Sequence, residues 1–240
     1  MSLPYGWTER DLRAVEVLAG YFRANPRGIL AIWNSESGLQ PRLGPVSGYY
    51  GLIMAAPQFI DSSIGQSLAN LVKHGSIVDQ IAAIKTFWEK SAKNYLGGDT
   101  VQARARKLGV RGDTVLYSLN FVPAYFAKMQ SAKQPMIVSS AYGRSHGIAS
   151  PDGGRFYNDT PGFDLDHKGY INVLDVQKRI DRMMIQGMAA SSPTRALFGA
   201  VSGSSGFFSG IFAQVTPGRA GAGGAIVLGA WLGISGWKDK

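Results

Sequence analysis

Apolar residues recur at helical spacing through most of the chain. Leu12, Val15, Leu18, Ala19 and Phe22 form one stripe, and Thr8 stands three residues before Asp11 at N-cap spacing, so residues 1–27 are predicted to hold a first helix. Asn25-Pro26-Arg27-Gly28 reads as a turn. Ile29, Leu30, Ala31, Ile32 and Trp33 then follow without a polar break, which calls for a helix enclosed on every side. Gly38 ends it, just after Asn34-Ser35-Glu36-Ser37. Val78, Ile81, Ala82, Ile84, Phe87 and Trp88 predict an amphipathic core helix, and Val173–Met184 another, with Lys178, Arg179 and Arg182 on its polar side. Pro41, Gly44, Pro45, Gly48 and Gly51 predict irregular backbone close to a ligand or another segment. The fold class is mainly α.

The last 55 residues break this pattern. They hold 12 of the 31 glycines, and residues 196–218 and 220–237 carry no charge. Small residues at three- and four-residue spacing, with Trp231 and Trp237 as anchors, suit either a membrane-active hairpin or an arm packed on a partner subunit. A flexible linker would leave Phe198, Phe207, Phe208, Ile211, Phe212, Ile226, Val227 and Leu228 in water. The domain division is therefore 1–186 for the body and 187–240 for a Gly-rich hydrophobic tail.

With 240 residues the chain can bury a sizeable core, and 45% hydrophobic against 17% charged residues excludes a disordered protein. Without cysteine there are neither disulfides nor thiolate metal sites. The formal charge of +9 points to an anionic partner: nucleic acid, a membrane surface or a bacterial wall. Nucleic acid ranks last, because the interleaved aromatic and basic residues of a binding module are lacking. Arg104, Arg106, Lys107 and Arg111 form a basic run whose plainer reading is a solvated helix face. His74 has no metal-binding companion at a useful spacing. The N-terminus lacks a basic start followed by an apolar run, so no signal peptide is expected.

The chemistry centres on Glu36. A lone acid at the end of an apolar element suits a general acid, because desolvation disfavours its charged form and keeps a proton available near neutral pH. Glu36-Ser37-Gly38-Leu39-Gln40-Pro41 is followed by Gly48-Tyr49-Tyr50-Gly51-Leu52-Ile53-Met54-Ala55-Ala56-Pro57. The pair resembles the lytic transglycosylase and goose-type lysozyme family, which writes E-S-G-x-x-P and then a G-x-x-G-L-[MI]-Q block. The resemblance implies a lysozyme-like fold, Glu36 as catalytic acid, and Ser37, Tyr50, Gly51 and Met54 lining the sugar site. Met54 stands where the family has a Gln that holds the sugar. Gln58 could supply the missing amide if its segment is helical. In phage-encoded members a Leu-Tyr helix leading to a Pro-Ala pair replaces the A-Y-N-A-G motif of others. Leu116-Tyr117 and Pro123-Ala124 match it, which makes Tyr117 a cleft hydroxyl with Asn120 behind it. Two core positions on a buried helix is the equally open alternative.

Asp164, Asp166, Lys168, Gly169, Tyr170, Asn172 and Asp175 fall at positions 1, 3, 5, 6, 7, 9 and 12 of an EF-hand-like loop spanning 164–175. Asp164, Asp166, Tyr170, Asn172 and Asp175 are the candidate calcium ligands. Lys168 puts a cation at position 5, so a metal-free form of the loop, with the ammonium in the metal's place, is favoured over bound calcium. No other cofactor is expected.

Two functions follow as expectations. In the first, the chain cuts the β-1,4 bond between N-acetylmuramic acid and N-acetylglucosamine in bacterial peptidoglycan, as a phage virion-associated enzyme. Asp61, the nearest downstream acid, is then the partner for a hydrolytic variant. In the second, it is a structural or membrane-penetrating virion protein whose lysozyme-like domain no longer cuts.

Overall fold

The structure, a computed structural model, describes residues 3–201 apart from 47, 151–153 and 161. Among the described residues it is mainly helical. In chain order come α1 (Glu9–Phe22), α2 (Pro26–Ser37), α3 (Pro57–Ile64), α4 (Leu68–His74), α5 (Ile77–Tyr95), α6 (Val101–Leu108), α7 (Gly112–Phe121), α8 (Pro123–Ala127), α9 (Ser140–His146), α10 (Arg155–Asp159), α11 (Val173–Met188) and α12 (Arg195–Ala200). One small antiparallel sheet pairs β1 (Ile137–Val138) with β2 (Tyr170–Ile171), with Ile137 opposite Ile171.

α2 lies inside the others. The Asn25 side chain accepts the Arg27 amide at 2.9 Å, and Pro26 fits the first turn because that position needs no amide donor. Gly38 closes the helix in the left-handed conformation, φ 63°. Between these ends Ile29 through Trp33 are wholly buried, enclosed by α1, α7, α11 and α12. The Trp33 ring lies 6.4 Å from both Trp7 and Trp88, and Trp88 meets Phe22 edge-on at 5.9 Å. The α1 stripe is buried as its spacing predicts. In α5, Ile81, Ile84 and Trp88 are buried, but Ala82 is exposed and Ala83 takes its place in the core.

Charges fix how α2 meets its neighbours. Gly28 packs so closely on the Asp113 carboxyl that a Cβ would overlap it. Asp113 is fully buried, accepts Arg111 Nε at 3.1 Å, and is held also by the Asn25 backbone amide. Arg111 reaches on to Asp181 of α11 at 2.7 Å. The expected basic face around α6 is thereby corrected. Arg104 is buried, donating to the Ala127 carbonyl at 2.8 Å and pairing with Asp99 at 3.5 Å, while Arg111 belongs to this internal network. Only Arg106 and Lys107 of the run are exposed, as helix termini allow.

The boundary drawn at residue 186 falls inside α11, and the folded body continues to residue 201. Gly187 leaves room for the Phe198 ring, Leu197 and Phe198 are buried, and Arg27 Nε donates to the Phe198 carbonyl at 2.9 Å. The rest of the glycine-rich segment lies outside the described residues. Among those described, no helix is long and apolar enough to cross a membrane.

Gly28→Ala is expected to lower the unfolding free energy by about 2–4 kcal/mol, because the new methyl must displace a buried carboxylate from its pair. Gly20→Ala, on the exposed face of α1 with open space around it, is expected to raise it by about 0.5–1 kcal/mol. Urea titration of both variants measures the difference.

Candidate active site

Glu36 sits in the last turn of α2, carried there by the buried run before it. Its side chain is half-buried, and burial pushes its carboxyl from 4.5 up to about 8. The position at a helix C-terminus acts in the same sense, since the last carbonyls oppose a negative charge. Among the described residues no cation offsets the shift. The turn beyond is held by hydrogen bonds. Gly38 donates to the Asn34 carbonyl at 3.0 Å, Leu39 is buried with φ 59°, and Trp7 Nε1 donates to the Leu39 carbonyl at 2.9 Å.

Tyr117, on α7, comes to this acid from a segment 81 positions away in sequence. Its ring is buried, 6.0 Å from Phe163 and 5.9 Å from Phe121. Burial raises its pKa most, the Glu36 charge raises it further, and the Ser35 hydroxyl and Arg179 act against both. Tyr117 is therefore a core residue, as the second reading of the sequence has it, and its phenol feels the Glu36 charge. At neutral pH it keeps its proton and is a donor. Asn120, one turn on, is half-buried.

The remaining motif residues have different surroundings. Ser37 is buried and its hydroxyl donates to the Trp33 carbonyl at 3.0 Å, within its own helix. Tyr50 and Ala55 bridge through paired backbone bonds of 3.0 and 3.1 Å, closing a tight turn that contains Gly51 and Met54. A Cβ on Gly51 would meet Val72 Cγ2 at 2.9 Å and Gln80 Oε1 at 3.1 Å, so the glycine is what lets this turn sit on α4 and α5. Gln80 Nε2 donates to the Pro41 carbonyl at 2.8 Å and Arg42 to the Val72 carbonyl at 2.8 Å, which anchors the loop. Met54 is 8% exposed with φ 44°, an uncommon conformation for a side chain of its size. Gln58 lies in the first turn of α3 and is exposed. Asp61 accepts the Leu68 amide at 2.9 Å, a structural role at the start of α4. A cavity of about 460 Å³ opens along the loop after α2, lined by Tyr5 and Gln40–Val46, and Glu36 is not among its walls.

The EF-hand-like loop is held by protein donors. Lys168 Nζ lies 2.7 and 2.6 Å from the two Asp175 oxygens, and Asp175 is 3% exposed. Asp164 accepts the Lys168 and Gly169 amides at 3.0 and 2.7 Å and the Tyr157 hydroxyl at 2.6 Å. Asp166 pairs with Lys178 at 2.9 Å, and Asn172 caps α11. Tyr170 lies in β2 with its ring 4.7 Å from the Lys168 ammonium. The carboxylates proposed as calcium ligands thus face two lysines, a tyrosine and backbone amides. Among the described residues no cluster of three or more His, Cys, Asp or Glu could hold a metal ion.

Two residues that act on the Tyr117 hydroxyl went unremarked in the sequence as site residues. Ser35 stands inside the Glu36 motif. Arg179 lies next to the buried stripe Val176–Ile180–Met183 of α11, and that border position was its signal.

Two outcomes are expected. A carboxyl with a folded pKa near 8 and an unfolded value of 4.5 takes up a proton on folding, so its contribution to stability falls as pH rises through that window. Glu36→Gln removes the penalty, and thermal melts should show the variant more stable than the parent at pH 8.5, on the order of 2–4 kcal/mol, and nearly equal at pH 4.5. Lys168→Ala strands the Asp175 carboxylate, which should cost about 1–3 kcal/mol in urea titration, and added calcium should raise the variant's Tm more than the parent's.

No family model, curated protein or solved structure matches the chain.

Proposed function

We propose that the chain is a peptidoglycan-cutting glycosidase with Glu36 as its general acid. The observation that carries this reading is a half-buried carboxyl at the end of an enclosed helix, which burial pushes from 4.5 up to about 8 with no cation among the described residues to offset it. Such a group can hand its proton to the glycosidic oxygen between N-acetylmuramic acid and N-acetylglucosamine as the C–O bond breaks. The resulting carboxylate stabilises the cationic sugar and then takes a proton from the attacking hydroxyl. The Tyr117 phenol, kept neutral in the core, donates a hydrogen bond toward the carboxylate. With Asp61 bonded to the Leu68 amide, a single acid serves both steps, which favours attack by the muramic 6-hydroxyl and an anhydro product over a two-carboxylate hydrolysis. The lysozyme-like fold, the bacterial wall as substrate and a place in a phage particle belong to the same proposal, through the motif pair around Glu36 and Gly51.

A second reading has its own observation. Met54 occupies the place of the sugar-holding amide with a strained backbone, and Gln58 is exposed. A virion protein whose domain binds glycan without cutting it would tolerate both, with residues 187–240 meeting a membrane or another virion protein.

Mass analysis of muropeptides released from purified wall separates the readings. The parent protein is expected to release anhydro-muropeptides, and Glu36→Gln, folded as judged by circular dichroism, to release none, a loss of at least about a thousandfold. Well-folded parent protein that clears no wall in a zymogram would establish the second reading.

A further inference from the structure

A cavity of about 270 Å³ lies between the end of α1, the last turns of α5 and the start of α6. Its floor is apolar, with Phe22, Ala92 and Val101 all buried. Its rim is polar and carries Tyr21, Glu89, Asp99 and Gln102. The protein holds that rim in place. The Tyr21 hydroxyl donates to Glu89 Oε1 at 2.5 Å, and Lys85 Nζ donates to the same oxygen at 2.7 Å. Gln102 Nε2 donates to the Tyr21 carbonyl. Arg104, buried behind the rim, pairs with Asp99 Oδ2 at 3.5 Å. On three of these groups one oxygen is left over. Among the described residues nothing donates to Glu89 Oε2, Asp99 Oδ1 or Gln102 Oε1.

Those oxygens define what fits. Three acceptors on one rim call for a ligand rich in donors. Glu89 is already paired with Lys85 and Asp99 with Arg104, and Lys93 adds another cation to the rim, so an ammonium ligand is not drawn in. An anion would meet two carboxylates. An uncharged ring bearing hydroxyl or amide N–H donors meets neither obstacle, and the apolar floor suits an apolar substituent on the same ring. The volume lies just under the about 300–1,000 Å³ of drug-sized pockets, so it holds one such ring and not a chain. The cavity is also separate from the candidate acid. Phe22 ends α1 one short turn before α2 begins, and from Pro26 to Glu36 that helix rises about 15 Å.

We propose that this cavity is a second glycan site, which takes one N-acetylglucosamine ring of the bacterial wall away from Glu36. The acetamide methyl lies on the apolar floor, and the acetamide N–H and ring hydroxyls donate to the rim oxygens. The choice of sugar rests on the reading of the wall as this chain's target, and it holds whether Glu36 cuts glycan or the domain only binds it. The site's role is retention, since a second contact keeps glycan at high local concentration near the acid.

The test uses the full chain and three probes: the trisaccharide of N-acetylglucosamine, the corresponding glucose trisaccharide without acetamides, and the cationic glucosamine trisaccharide. The side-chain amide resonances of Gln102, assigned through bonds, are expected to move with the first probe alone, and to do so equally in Glu36→Gln. Binding at this site should weaken roughly fivefold in Glu89→Ala, a partly exposed rim residue, and co-sedimentation with purified wall should fall in Glu89→Ala and in Gln102→Ala. A Gln102 amide unmoved by the first probe, or moved as much by either of the others, would overturn the proposal even if the wall is cut. A selective shift in parent protein that releases no muropeptides would keep this site and remove the glycosidase reading. The resonance is read on the parent chain, so it decides the matter even where a variant folds poorly.

Discussion

Enclosing α2 is the constraint from which the rest of the body follows. Ile29 through Trp33 have no exposed face, so no single neighbour can cover them, and α1, α7, α11 and α12 are arranged around the helix. Burying five such side chains is worth on the order of 1.5–3 kcal/mol for each of the larger ones. A helix so enclosed cannot turn or slide without opening a void, which fixes the direction in which its last turn points. Glu36 inherits that direction.

Enclosure alone would leave the register of the surrounding helices loose, because apolar contacts have little direction. Ionic contacts supply it. Asp113 meets Gly28 on one side and Arg111 on the other, and Arg111 reaches Asp181, so α2, α7 and α11 are tied at one end by one buried network. At the start of α11 the Lys168–Asp175 pair does similar work, with the ammonium drawing the loop onto the helix it precedes. A buried pair of this kind contributes less to net stability than to uniqueness of arrangement, while losing one member is costly. The packing of α7 puts Tyr117 where the Glu36 charge reaches it.

The candidate site is accordingly an expensive place in the fold. It combines a carboxyl held away from water, a buried phenol that feels its charge, and positive φ at Leu39 and Met54. Each feature lowers stability.

Sequence by itself determined the helical class, the enclosed helix and its end at Gly38, the burial of the α1 stripe, and the lysine in the calcium-type loop. Those depend on local rules: periodicity, capping, glycine conformation and the sign of a charge. It could not decide which charges turn inward. Arg104 and Arg111 look like a solvated run until α7 and α11 pack against them, and residues 187–201 look like part of a tail until Phe198 fills the space Gly187 leaves. Nor could spacing show that Tyr117 feels the Glu36 charge, because that coupling joins two helices far apart in the chain. Tertiary structure alone decided it, since a pKa is a property of what surrounds a group, and the surroundings come from distant sequence.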